Sequence, residues 1–188
     1  MRQHFPLALG VIVVASSLSL AAQTTKQPTS SMKKTAQSTA NAAVNADQHF
    51  VMEAYEGGMA EVALGQLATE KASNPKVKEF GQRMVTDHGK ANDELKSIAS
   101  KKNLTLPTEV DSKHQAAYDK LAKLSGSDFD KAYIDAMVKD HDEDVKEFKK
   151  ATSTAGMDAD LKAWAEKTLG VIQEHDHLAH QDKDSVKK

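Results

Sequence analysis

The chain of 188 residues contains no cysteine. Disulfides, thiol catalysis and a lipid-modified N-terminal cysteine are therefore excluded, and stability has to come from helix packing or a bound ligand. Proline is scarce at four residues, and aromatics make up 5% of the chain. Neither charge sign dominates: 25 basic and 27 acidic residues are interleaved, with a formal net charge of -2. There is thus no basic stripe to bind nucleic acid. Beyond the first twenty-odd residues, no run is long and apolar enough to cross a bilayer, which takes about 20 residues.

The opening residues read as an export signal. Arg2 supplies a short positive start, Phe5 to Leu20 form an apolar stretch, and Ser19-Leu20-Ala21 or Leu20-Ala21-Ala22 offers a small-residue cleavage site. Pro6, Gly10 and several serines make this stretch a poor membrane anchor. The expectation is a signal peptide over 1–22 and a periplasmic or secreted mature protein, with outer-membrane association as a further option. Residues 23–46 are rich in Thr, Ser, Gln, Ala and Lys, with almost no large apolar side chain, and predict a flexible linker. A single domain is expected over 47–182, followed by a charged tail at 183–188.

Within that domain, apolar residues recur at spacings of three and four, which is the period of helices. Helix A is expected from an Asp47 N-cap to about Ser73, with Phe50, Ala54, Gly57, Glu61, Leu64 and Ala68 on one stripe. Ser73-Asn74-Pro75 then ends one helix and starts helix B, which runs to about Lys102. Its seam reads Val77, Phe80/Gly81, Met84, His88, Ala91, Leu95 and Ile98. A short helix C spans about Asp111 to Leu124. Helix D is expected from a Ser127 cap to about Ala151, turning Ile134, Met137, His141, Val145 and Phe148 inward. Helix E, about Ala159 to Gln181, carries Leu161, Ala165, Thr168, Ile172, His175 and Ala179 on one face. The expected fold is all-α: a four-helix bundle with a short extra helix in its long crossover.

Helices B and D echo each other. Phe80, Met84-Val85-Thr86-Asp87-His88 and Leu95 match Tyr133, Met137-Val138-Lys139-Asp140-His141 and Phe148. In both copies a histidine stands where a bundle seam normally has leucine or isoleucine, and such a polar group needs something inside to satisfy it. Helix A contributes Glu61 and helix E contributes His175. Counting along the helices places Glu61, His88 and His141 near one depth, with His175 about a turn too far and needing a shifted helix or a different partner.

Two readings follow. One is a metal site at Glu61, His88, His141 and His175, whose imidazole and carboxylate donors suit Zn, Cu, Fe or Mn. The other is a buried polar pair of Glu61 with His88 that fixes register and involves no metal. Asp87 and Asp140 lie about 100° round from their histidines and read as groups that orient a ligand or face solvent. The run Asp140 to Asp144 reads as a solvated face except for Asp144, one turn from His141. His177 and His180 read as structural residues near a helix end.

These motifs resemble a family known as domain of unknown function 4142. The stretches that carry the resemblance are Gly57-Gly58-Met59-Ala60-Glu61-Val62-Ala63-Leu64-Gly65, Phe80 to His88, Met137 to His141 and Leu169 to His175, within about Asp47 to Gln181. The resemblance implies a ferritin-like bundle and an exported or outer-membrane protein, and it brings no established activity. Gly170 stands where the family pattern has a proline, and no Glu-x-x-His motif of di-iron bundles falls at the seams. The expected function is transition-metal binding for storage, buffering or redox protection. The alternative is an envelope stress or structural protein that acts by binding a protein partner or its own copy. No nucleophile stands beside the histidines, so the residues name no reaction.

Overall fold

The computed structural model describes residues 30–186, all of whose regular elements are helices. The expected signal peptide and residues 23–29 of the expected linker lie outside the described residues. Five helices follow in order: α1 (Ser30–Lys71), α2 (Pro75–Lys102), α3 (Ser112–Ala122), α4 (Gly126–Ser153) and α5 (Ala159–Val186).

The helix boundaries differ from expectation in three places. First, α1 begins at Ser30, so residues 30–46 continue the helix. Asp47 lies inside it instead of capping it. Between Pro28 and Gly57 the sequence has neither proline nor glycine. Once the packed part of α1 has nucleated, each added residue fixes one more hydrogen bond, so the helix propagates toward Ser30. Second, α4 starts at Gly126 with Ser125 at the cap position, and Ser127 lies in its first turn. Third, α5 runs on through the expected tail to Val186, which is buried at its end.

The ends of the helices fix their directions. At one end Asp130, near the start of α4, accepts hydrogen bonds from the backbone N–H of Ser73 and of Asn74, at 3.0 and 2.9 Å, and from the Ser73 hydroxyl. This holds the α1–α2 turn against α4. Lys76 pairs with Asp182 of α5 at the same end. At the opposite end the Asp47 carboxylate accepts from Asp158 N–H at 3.2 Å, and Lys102 bridges Asp158 and Asp160. So α1 and α2 form one antiparallel hairpin and α4 and α5 another. The crossover carrying α3 returns the chain from the far end of α2 to the near end of α4, and α2 runs parallel to α4.

Within the first hairpin the backbones approach closely where Gly65 faces Gly81. A Cβ at Gly65 would lie 2.6 Å from the Gly81 carbonyl oxygen, and one at Gly81 would lie 2.7 Å from Ala68 Cβ. The bundle buries two apolar cores. One gathers Leu64, Val77, Phe80, Met84, Tyr133 and Ile134 around its members; the other is built on Phe50, Leu95, Phe148, Leu161, Trp164 and Ile172. Glu61, His88, His141 and His175 are buried between them.

Asp130 is a buried carboxylate that seals a helix junction, and hydrogen bonds to a charged group are each worth about 1.5–3 kcal/mol. Asp130→Ala is expected to lower stability by about 2–4 kcal/mol in urea unfolding, with Asp130→Asn intermediate. A change below half a kilocalorie, on the order of an ordinary surface substitution, would show that the junction holds without it.

Candidate metal centre

Each long helix contributes one corner to a polar layer. Glu61 comes from α1, His88 from α2, His141 from α4 and His175 from α5, at 3%, 5%, 0% and 1% exposure. Around the bundle, His88 Nδ1 lies 2.6 Å from Glu61 Oε2, His88 Nε2 lies 3.2 Å from His175 Nδ1, and His141 Nε2 lies 3.4 Å from Glu61 Oε1. The His141 and His175 ring centroids are 5.6 Å apart and close the square. One ring nitrogen from each of the three histidines lies within 4.8 Å of the others, and Glu61, His141 and Asp144 form a second such group that shares His141.

All four residues singled out in the sequence therefore meet, including His175. Counting placed His175 a turn too far because it ended the last helix at Gln181. The helix extends to Val186, so His175, residue 17 of 28, lies near the middle of α5, as His141, residue 16 of 28, does in α4 and His88, residue 14 of 28, in α2.

The partners of the outward nitrogens fix the tautomers of His141 and His175, and that of His88 follows the proton of Glu61. His141 Nδ1 lies 3.0 Å from the Met137 carbonyl oxygen, which can only accept, so Nδ1 carries the proton and Nε2 offers a lone pair. His175 Nε2 lies 2.9 Å from Asp87 Oδ2 and donates to it, which leaves the Nδ1 lone pair turned inward. With Glu61 ionised, His88 Nδ1 donates to its Oε2 and the His88 Nε2 lone pair also turns inward. Three imidazole lone pairs then converge, each ring held by an outward N–H on a carboxylate or carbonyl, as ligating histidines are held. Glu61 Oε1 and His141 Nε2 are buried and have no hydrogen-bond partner among the described residues.

The sequence reading missed the direction of Asp87. It does not orient His88, its neighbour in the chain, but crosses from α2 to hold His175. The position of Asp87, one residue before a seam histidine, was the available signal; the identity of the ring it serves depends on how α2 packs on α5. Tyr133 was missed as well: its hydroxyl is fully buried without a hydrogen-bond partner among the described residues, and burial with the nearby Glu61 and Asp140 carboxyls pushes its pKa up.

Burial also sets the charge states. Desolvation pushes His88 down to about 4. It pushes His141 down to about 3, reinforced by the neighbouring His88 and His175 rings. His175 is lowered for the same reason, against the pull of its Asp87 hydrogen bond. Burial raises the Glu61 carboxyl well above the ordinary carboxylate range, with Asp140 adding to the effect and a hydrogen bond from Asp144 opposing it. Asp144 is raised by burial first and by Glu61 next. The rings are thus neutral and free to donate to a cation at ordinary pH, while Glu61 and Asp144 share whatever proton the layer carries.

The four corner residues all fall inside one continuous family match, to residues 32–181. This chain belongs to the family described as a domain of unknown function (DUF4142). No curated protein and no solved structure matches it. Among the described residues of this DUF4142 protein two further groups of potential ligands lie nearer the surface, Glu56 with Asp111 and His114, and Asp142 with Asp176 and His180. Each is more exposed than the central layer. Asp111 is already used as the N-cap of α3, and His180 lies 3.7 Å from Asp142 and 3.5 Å from Asp176. His177 is an exposed partner of Gln181.

The lowered histidines make the metal-free fold sensitive to acid. As pH falls through about 6.5 the unfolded chain takes up protons on these rings, whereas folded His88 and His141 resist until about 4 and 3, so stability is lost over that window. Glu61 and Asp144 work the other way. The fold keeps their protons to higher pH than the unfolded chain does, so their contribution is present at low pH and is lost as pH rises through their folded values. Three histidines against two carboxyls leave the metal-free protein less stable at pH 5 than at pH 7, by at most about 1.4 kcal/mol per histidine per pH unit. Glu61→Gln removes one opposing carboxyl and should steepen the decline. Urea unfolding of chelator-treated protein at the two pH values measures both, and equal stability throughout would contradict neutral buried rings.

Proposed function

We propose that this protein is an exported ferritin-like bundle that binds a transition-metal ion at His88, His141 and His175 beside Glu61, serving metal storage, buffering or redox protection. The observation that carries this reading is the pattern of protons. His141 and His175 spend their N–H on outward acceptors and aim the other nitrogen at their neighbours, and His88 does the same when Glu61 is ionised. Without a cation, an ionised Glu61 leaves lone pairs facing each other across His88 Nε2 and His175 Nδ1, and that contact becomes a hydrogen bond only when Glu61 holds a proton and donates it to His88 Nδ1. With one, the 3.2 Å between those nitrogens is close to the roughly 3.3 Å that two imidazoles span on a tetrahedral ion at about 2.0–2.1 Å.

Three imidazoles and no sulfur favour Zn, Cu or Fe, and Mn is less well served because it prefers oxygen donors. The arrangement of two antiparallel hairpins joined by a long crossover supports the ferritin-like reading. Export rests on the Arg2 start and the apolar Phe5 to Leu20 stretch; among the described residues no helix is long and apolar enough to cross a membrane. Partner binding without metal has less support. Val44 and Met52 are the exposed large hydrophobic residues among those described, and two side chains do not make a docking patch.

Elemental analysis of the untagged mature protein is expected to find about one transition-metal ion per chain, as three protein ligands around a single ion imply. His88→Ala and His141→Ala should each abolish it, and Asp87→Asn should weaken affinity by about 10–100-fold through loss of the His175 orienting bond. Protein that takes up no metal after incubation with Zn, Cu, Fe and Mn in turn would end this reading.

A further inference from the structure

The polar layer is sealed by apolar cores above and below, so an ion must reach it from the side, and two side openings approach it. One lies in the groove between α2 and α5. It holds about 100 Å³ beside Asp87 and His88, and its walls include Lys90 and Lys167. Lys167 pairs with Glu94 at 2.7 Å, so the acid on that wall is already neutralised. The other opening lies on the seam between α1 and α4. An outer pocket of about 180 Å³ there includes Asp47, Glu53 and Glu147 in its walls. Glu53 and Glu147 also line a smaller inner cavity of about 20 Å³, whose other walls include Glu61, His88 and Asp144.

We propose that divalent cations load the centre through the α1–α4 seam, where Glu53 and Glu147 form an outer capture site that hands the ion past Asp144 to Glu61. The inference rests on the metal reading above. Glu147 Oε1 is buried without a hydrogen-bond partner among the described residues, and so is Glu61 Oε1 at the far end, on a side chain 3% exposed. Carboxylates at both ends of the inner cavity are therefore available to an ion. Gly57 lines the inner cavity and leaves open space beside it, since a Cβ there would meet nothing within 4 Å. Of the two openings, the seam presents the longer succession of acids leading inward, since on the α2–α5 side Glu94 is paired with Lys167 and Asp87 is held by His175, and a cleft lined by one sign of charge between low-dielectric walls concentrates the opposite ion. His49, which pairs with Glu53 at 3.0 Å, and Lys150 flank the outer pocket and moderate its charge without reaching the inner cavity.

The test is the rate at which chelator-treated full-length protein takes up Co²⁺, followed by its visible spectrum in stopped flow, with affinity measured separately by competition. Glu147→Gln and Glu53→Gln should each slow loading by about tenfold while changing the equilibrium affinity by less than threefold, since release slows in step. Gly57→Leu should slow both directions further by filling the gap. Glu94→Gln, the same charge change on the α2–α5 side, should leave the rate as it is. Raising the salt concentration should slow the wild type more than Glu147→Gln. Wild-type protein that binds Co²⁺ and loads at one rate in all four variants overturns the route alone. Wild-type protein that binds no Co²⁺ overturns both the route and the metal reading.

Discussion

Everything in this bundle is arranged around the desolvation of four polar side chains in one layer. Glu61, His88, His141 and His175 are shut between two apolar cores, where an unpaired charge is very costly and an unpaired lone pair costs less but still counts against the fold. The four groups solve this jointly. The outward nitrogens find Met137 O, Asp87 and Glu61, and the inward ones have only each other. Leucines at those corners would give a simpler and more stable seam. The polar layer therefore imposes a constraint on stability that the rest of the fold has to carry.

How the fold carries it is visible at its ends and in its first hairpin. Gly65 against Gly81 brings α1 and α2 close enough for the Glu61 carboxylate to reach His88 at 2.6 Å. Asp130 fixes the turn between those helices to the start of α4, and Asp47 with Lys102 fixes the far end to the loop before α5. Both hairpins are thus pinned at both ends, which sets the relative heights of all four helices. A slide of a single residue, about 1.5 Å along a helix, would spoil contacts between ring nitrogens that are 3.2 Å apart. Phe80 packs its ring edge-on to both His141 and His175, and so restricts their tilt.

The sequence disclosed the helices and the layer because both follow from local spacing. A histidine at a seam position of a three-four repeat must turn inward, and the matching Met-x-x-Asp-His of α2 and α4 made that legible twice. The expected stripe of α5, from Leu161 to Ala179, is buried residue for residue. What was not legible depends on relations between helices or on propagation beyond a packed face. The start of α1 at Ser30 could not be read because residues 30–46 have no apolar stripe to announce a helix. The height of His175 required the true end of α5, and the partner of Asp87 required the packing of α2 on α5. Asp130 looked like one acid among many because its role lies across the bundle, at a turn 56 residues earlier in the chain.

The parallel course of α2 and α4 gives the layer its chemical character. The repeat places His88 and His141 at corresponding points of these two helices, yet α1 and α5 supply different residues opposite them, a carboxylate and a third imidazole. Had both been carboxylates, the layer would offer the oxygen-rich, two-ion surroundings of Glu and Glu-x-x-His bundles. Had both been imidazoles, it would hold no negative charge to balance a cation in a medium that penalises net charge. One carboxylate among three neutral rings, with Asp144 able to hold a proton beside it, lets the layer change its charge by a single unit without a change in packing. On the proposed metal reading, a single proton on the Glu61–Asp144 pair and a single cation among the rings are alternatives, because the same carboxylate that sheds the proton is the one left to face the ion.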